Sequence, residues 1–169
     1  MDETLAPENR RRLDLDRVED PAVAALLDGP IIAPRLERVL SSRIVRDASF
    51  RRAVLSAYDD TCAVTGIRLI NGGGRAEAQA AHIVPVEHGG PDVVQNGIAL
   101  SATMHWLFDR HLISIGEDWR LLVSHKKVPA ELRGLMTSHA TGIRLPRDRA
   151  EWPDPRLVAH HRDRFASAA

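Results

Sequence analysis

Gln79-Ala80-Ala81-His82-Ile83-Val84-Pro85 leads through Gly89-Gly90-Pro91-Asp92-Val93-Val94-Gln95-Asn96-Gly97 to Met104-His105-Trp106-Leu107-Phe108-Asp109. The stretch sets four chemistry-bearing residues in the order H-x13-N-x8-H-x3-D: His82, Asn96, His105 and Asp109. The run from Glu77 to Val84 predicts a strand, Gly89 to Asp92 a turn region, and Gly97 to Leu100 a short second strand. Ser101 or Thr103 can cap a following helix that carries Met104 to Arg110. On that helix His105 and Asp109 are four residues apart, so they share one face about one turn apart. His82 thus closes a strand, Asn96 ends a Gly-rich loop, and the last pair sits on a helix.

Working outward, Asp47 or Ser49 can cap a helix running to about Tyr58, with Phe50, Val54, Leu55 and Tyr58 as its apolar stripe. Arg51 and Arg52 fall elsewhere on it. Cys62-Ala63-Val64-Thr65-Gly66 turns the chain, and Asn71-Gly72-Gly73-Gly74 is a loop, since a glycine run loses too much entropy inside an element. Downstream, Leu112–Ile115 and Trp119–Val123 read as a hairpin around Gly116-Glu117-Asp118. Two more helices are expected, from Pro129 to about Ser138 and from Pro155 to about Ala166, the second with Leu157, His161 and Phe165 along one side. The expected fold class is α+β: two strands and a helix at the core, flanking helices, and a small hairpin. Residues 1–45 read as an arm with a short helix over Pro21–Asp28 that Pro30 and Pro34 then interrupt. Residues 46–125 read as the core domain and 126–169 as a helical extension packed on it.

Composition bounds the function. The 23 Lys and Arg balance 23 Asp and Glu, so the chain does not adhere to nucleic acid by bulk charge. Local basic clusters remain: Arg10 to Arg12, then Arg43, Arg46, Arg51 and Arg52. The single cysteine, Cys62, excludes an internal disulfide and a zinc ribbon built from C-x-x-C pairs, and fits a reducing setting. The acidic, then Arg-rich N-terminus does not read as a secretory signal, and no apolar run is long enough to suggest a membrane span. The expected localisation is cytoplasmic, with no membrane partner.

The quoted stretch resembles the HNH nuclease family, whose ββα-metal motif is named for these His-Asn-His positions. The likeness extends to Phe50-Arg51-Arg52-Ala53-Val54-Leu55-Ser56-Ala57-Tyr58, to Cys62-Ala63-Val64-Thr65-Gly66 and to Leu107-Phe108-Asp109-Arg110-His111-Leu112-Ile113-Ser114-Ile115, covering roughly Arg46 to Val123. It looks most like the A-A-H-I branch found in restriction-type proteins. The resemblance implies that His82 is the general base and that His105 and Asp109 are metal ligands. It also implies a DNA duplex entered by the helix through the minor groove, with mostly backbone contacts, and a product carrying a 5′ phosphate. Many relatives have Asp or His before the base, where this chain has Ala81; Gln79 or a residue outside the motif is a candidate to help. Some relatives carry a C-x-x-C zinc pair where this chain has Cys62 and Thr65, so apolar packing stands in for zinc here.

The residue types fit that chemistry on their own terms. Phosphodiester hydrolysis needs an activated water and a stabilised leaving oxygen. Histidine suits the first task because its ordinary pKa of about 6.5 lies near working pH. The asparagine amide carries a donor and an acceptor, so Asn96 can fix backbone around the base. One nitrogen and up to two oxygens from His105 and Asp109 suit Mg²⁺ or Mn²⁺ with retained waters, and would also take Zn²⁺ or Ni²⁺. Arg51, Arg52, His88 and Arg110 are the candidate contacts to nucleic acid. Trp106 and Phe108 are expected in the core, Cys62 as a small buried group, and His111, His125, His139, His160 and His161 as packing or surface residues. The leading reading is a metal-dependent DNA endonuclease with a one-metal, His general-base mechanism in a restriction or defence context. The alternative is a catalytically weak DNA-binding subunit that needs a partner or effector. A homodimer or a restriction-system partner is compatible with both.

Overall fold

The computed structural model describes residues 48–136 and 142–168. The expected N-terminal arm, the Asp47 cap and the end of the helix expected to reach Ser138 therefore lie outside them. Helix α1 covers residues 48–57. Strands β1 (Gln79–His82) and β2 (Gly97–Leu100) pair antiparallel, with His82 opposite Gly97 and Gln79 opposite Leu100. Helix α2 (Ala102–Asp109) follows and packs against both. Strands β3 (Ile113–Ile115) and β4 (Leu121–Val123) form the expected hairpin. A short helix α3 (Ala130–Gly134) and a long helix α4 (Pro155–Ala168) complete the unit, α4 lying on β3. The protein is α+β, as expected. Among the described residues no helix is long and apolar enough to cross a membrane.

The core explains why these short elements hold together. Phe50 and Val54 from α1, Tyr58 just after it, Ile98, Ala99 and Leu100 from β2, and Met104, Leu107 and Phe108 from α2 are buried in one cluster with β3 and β4. Strand β2 is buried along its whole length, so it reads as an apolar run and not as an alternation. Cys62 is buried, and its Sγ accepts the Thr65 N–H at 3.5 Å, closing the turn with a weak hydrogen bond and packing. Gly97 allows the closest approach. A Cβ there would lie 2.2 Å from Val54 Cγ2 and 3.2 Å from the Phe50 ring, so any side chain would push α1 off the sheet.

Several expectations are corrected. β1 ends at His82 and not at Val84, because Pro85 has no N–H and the Val84 backbone is bonded to the Asn96 side chain instead of to a strand. Ser101 occupies the N-cap of α2 but gives no side-chain cap; the Glu77 carboxylate accepts the Ala102 N–H at 2.9 Å and places negative charge at the helix start. Trp106 is not core: it is 51% exposed, whereas Phe108 is buried as expected. The helix expected from Pro129 spans only Ala130–Gly134, with Met136 buried just beyond it.

Candidate active site

His82 sits at the end of β1, 24% exposed, with its ring stacked on Phe50 at 3.8 Å between centroids and 5° between planes. Its Nε2 lies 2.9 Å from Asp92 Oδ1. An ionised carboxylate only accepts, so the proton of the neutral ring is on Nε2 and the lone pair is on Nδ1. Phe50 fixes the plane of the imidazole and Asp92 fixes its rotation and tautomer. Asp92, expected only as part of a turn, is a site residue that sequence reasoning missed. Nothing in the spacing signals it, because the contact depends on how the loop folds back.

Asn96 lies next to this dyad and is fully buried. Its Oδ1 accepts the Val84 N–H at 2.9 Å, and its Nδ2 donates to Val84 O at 2.9 Å and to Pro91 O at 3.0 Å. The amide therefore clamps both ends of the loop between His82 and Asp92. Gly90 makes the clamp possible, since a Cβ there would fall 1.8 Å from Val84 O and 2.8 Å from Asn96 Nδ2. Asn96 thus binds backbone around His82, and its side chain does not reach the surface.

On α2, His105 Nδ1 lies 2.9 Å from Gln79 Oε1. The amide oxygen accepts, so Nδ1 carries the proton and Nε2 keeps its lone pair. That Nε2 faces Asp109 Oδ2 at 3.5 Å. Two lone-pair groups aimed at each other invite either a proton or a cation between them. Ligands at about 2.1 Å from one ion stand about 3.0–3.4 Å apart in octahedral or tetrahedral geometry, so the observed separation fits a shared ion. Gln79 fixes the orientation of the His105 imidazole, as an outer partner would for an imidazole that held an ion. The pair could offer two ligands to an ion, and among the described residues no group of three His, Cys, Asp or Glu gathers as a metal cluster. Ala81 has no exposed surface and belongs to the core.

The candidate nucleic-acid contacts are distributed. Arg51 and Arg52 line a groove of about 570 Å³ together with Arg75, Ser56 and Asp60; Arg75 was not anticipated. His88 is exposed in the turn Val86–His88, within the loop that Asn96 clamps. Arg110 is exposed and stacks over the Trp106 ring at 4.2 Å from its centroid, one turn along from Trp106 and beside Asp109. The exposed Trp106–Arg110 stack therefore flanks the His105–Asp109 pair on the same helix.

Behind α2 lies a second histidine group. His161, 3% exposed, accepts the Ser114 O–H at Nδ1 (2.8 Å) and donates from Nε2 to Phe108 O (3.0 Å), with His111 Nδ1 at 3.1 Å. Its ring stacks on Phe108. Burial pushes the His161 pKa down to about 4, and burial followed by the positive charge of Arg164 lowers that of His111. Both are therefore neutral packing groups, in line with expectation. His111 holds the chain in a left-handed turn at φ 52° as α2 gives way to β3.

Comparison with known proteins fits this geometry. Residues 62–116 match the family model described as HNH endonuclease. A search of curated proteins returns no match. Among solved structures, a modification-dependent TagI restriction endonuclease is similar, at 24% identity and a TM-score of 0.55, over 81% of this chain and 39% of that one. That likeness is one of fold, and this chain spans well under half of that protein's length. The matched segment runs from the Cys62 turn through β1, the clamped loop, β2 and α2 to the end of β3, so it contains His82, Asp92, Asn96, His105 and Asp109. Over that segment the chain is similar to the HNH endonuclease family.

Proposed function

We propose that the protein is a divalent-metal-dependent DNA endonuclease acting in a restriction setting. The observation that carries the reading is the His105–Asp109 pair: its lone pairs face each other across 3.5 Å, and Gln79 selects the tautomer that leaves Nε2 free. His105 and Asp109 would hold a divalent ion, which would supply Lewis-acid stabilisation of the charge that develops at the phosphate. Mg²⁺ or Mn²⁺ suits a pair with so few protein ligands, because both keep several waters. His82 Nδ1 takes a proton from the attacking water, Nε2–H stays on Asp92, and the imidazolium that forms is stabilised by the carboxylate. The water oxygen bonds to phosphorus as the phosphorus–O3′ bond breaks, and the departing O3′ takes a proton from solvent, leaving a 3′ hydroxyl and a 5′ phosphate. Arg51, Arg52 and Arg75 fit the role of phosphate contacts that set register without reading sequence. Arg110 on Trp106 fits a contact to the duplex beside the scissile bond. The restriction setting is suggested by the TagI neighbour, and a cytoplasmic location accords with it.

The test is cleavage of supercoiled plasmid by the purified chain with EDTA, Mg²⁺, Mn²⁺, Ni²⁺ or Zn²⁺, beside His82→Ala and His105→Ala. Metal-dependent nicking lost in both folded variants is the expected result. Cleavage that survives in His82→Ala would remove the base assignment. No cleavage with any ion would refute the stand-alone enzyme and place the chain among DNA-binding subunits that need a partner.

A further inference from the structure

We propose that Asp92 is the positioning residue for His82, and that Asn96 serves the site by holding the loop that aims Asp92. The proposal rests on the reading of His82 as the base.

The distances form a chain of support. Asn96 donates to Pro91 O, the carbonyl immediately before Asp92, and grips Val84, two residues after His82, from both sides of its peptide. The two anchor points bracket the loop, and its far end delivers Asp92 Oδ1 to His82 Nε2 at 2.9 Å. Asp92 and His82 have similar, low exposure, 22% and 24%, so the hydrogen bond is shielded while one edge of the imidazole stays open. Phe50 covers one ring face. Three constraints therefore act on one imidazole: a plane from Phe50, a rotation from Asp92, and a tautomer from the carboxylate's inability to donate. What remains free is the Nδ1 lone pair, the feature a base requires.

The reaction places a further demand on Asp92. As water's proton moves to Nδ1, the ring becomes a cation with both nitrogens protonated. The unprotonated carboxylate of Asp92 keeps its hydrogen bond and now faces a positive charge, so it is worth more after proton transfer than before. Asn96, being uncharged and buried away from the ring, cannot supply that term. The buried asparagine and the acidic loop residue thus have separate roles, one mechanical and one electrostatic.

Asp92→Asn separates them. The amide keeps the shape but can turn its N–H toward Nε2, which drives the proton to Nδ1 and removes the lone pair. Cleavage kcat should fall by about 100-fold or more, within the range of about 10²–10⁴ that a positioned base contributes. KM and DNA affinity should stay within about threefold and Asp92→Glu should recover part of the rate, since neither binding nor charge is lost. His82→Gln/Asp92→Asn should lose no more than His82→Gln alone, as expected of residues acting as a unit. Long-range ¹H–¹⁵N spectra of the full chain give a readout that needs no activity: the wild-type His82 ring should be protonated at Nε2 only, and Asp92→Asn should shift protons to Nδ1. A wild-type His82 protonated at Nδ1, full activity in Asp92→Asn, or additive losses in the double variant would each overturn the proposal. An inactive wild type would sink the nuclease reading, while the tautomer spectrum would still decide the role of Asp92.

Discussion

Replacing Asn96 with alanine removes a side chain that makes three hydrogen bonds from a fully buried position. Two of the abandoned partners, the N–H and C=O of Val84, belong to a residue only 5% exposed and cannot turn to solvent. Pro91 O, on an exposed residue, can. Leaving a buried polar group unsatisfied costs about 1–3 kcal/mol, so the two Val84 groups together account for about 3 kcal/mol and the small void adds to it. The expected loss is about 3–4 kcal/mol, which lowers the melting temperature by about 10 °C in a chain of this size. Chemical denaturation of Asn96→Ala against wild type measures it directly. Asn96→Asp sharpens the test, because the size is kept and only the donor is lost. Its second oxygen would face two carbonyl oxygens, so the folded state favours the protonated acid and raises its pKa above the unfolded value. The folded state then holds more protons than the unfolded chain, and the stability of Asn96→Asp must fall as pH rises above about 4. A loss below about 1 kcal/mol in Asn96→Ala, or an Asn96→Asp protein whose stability does not decline with pH, would refute the clamp.

Two further outcomes follow from the same structure. Gly97→Ala places a Cβ 2.2 Å from Val54 Cγ2 and against Phe50. Overpacking of this kind costs about 1–3 kcal/mol, and because Phe50 is the stacking partner of His82, cleavage should fall in step with stability; an unchanged melting curve would show that α1 yields without effect. The second concerns pH. Burial pushes the His161 pKa from its ordinary 6.5 to about 4, and His111 is lowered too. Both bind protons less readily folded than unfolded, so stability is complete above about pH 6.5 and declines as pH falls toward about 4. For His161 alone the decline amounts to about 3 kcal/mol. Urea unfolding at stepped pH should show it, and His161→Phe should flatten the slope in that window; a slope equal to wild type in His161→Phe would assign the decline to other groups.

How much of this was legible in the sequence depends on where each contact gets its information. The strand, loop, strand, helix order could be read because apolar spacing and glycine placement are local. His105 and Asp109 could be paired because helix geometry alone brings residues four apart onto one face. Gln79 could be read as a candidate to help the site but not as the partner of His105, because His105 lies 26 positions away and is met through packing. Asp92 was invisible as a site residue for a related reason. A Gly-Gly-Pro-Asp run reads as a turn, and only the closed loop shows that the turn ends in a carboxylate aimed at an imidazole. Trp106 misled in the opposite direction. A tryptophan between two site residues reads as core by composition, yet Met104, Leu107 and Phe108 already fill the buried face of this eight-residue helix, and the ring is left outside with Arg110 stacked on it. The Glu77 cap shows the same limit, since a serine in the N-cap position predicts a local hydrogen bond that a carboxylate two residues before β1 makes instead. In each case the sequence specified what a residue could do, and tertiary placement decided for whom. The site is therefore more distributed than its four-residue signature: the signature names the groups that would touch water, phosphate and ion, and Asp92, Gln79, Phe50 and Gly90 determine whether those groups point the right way.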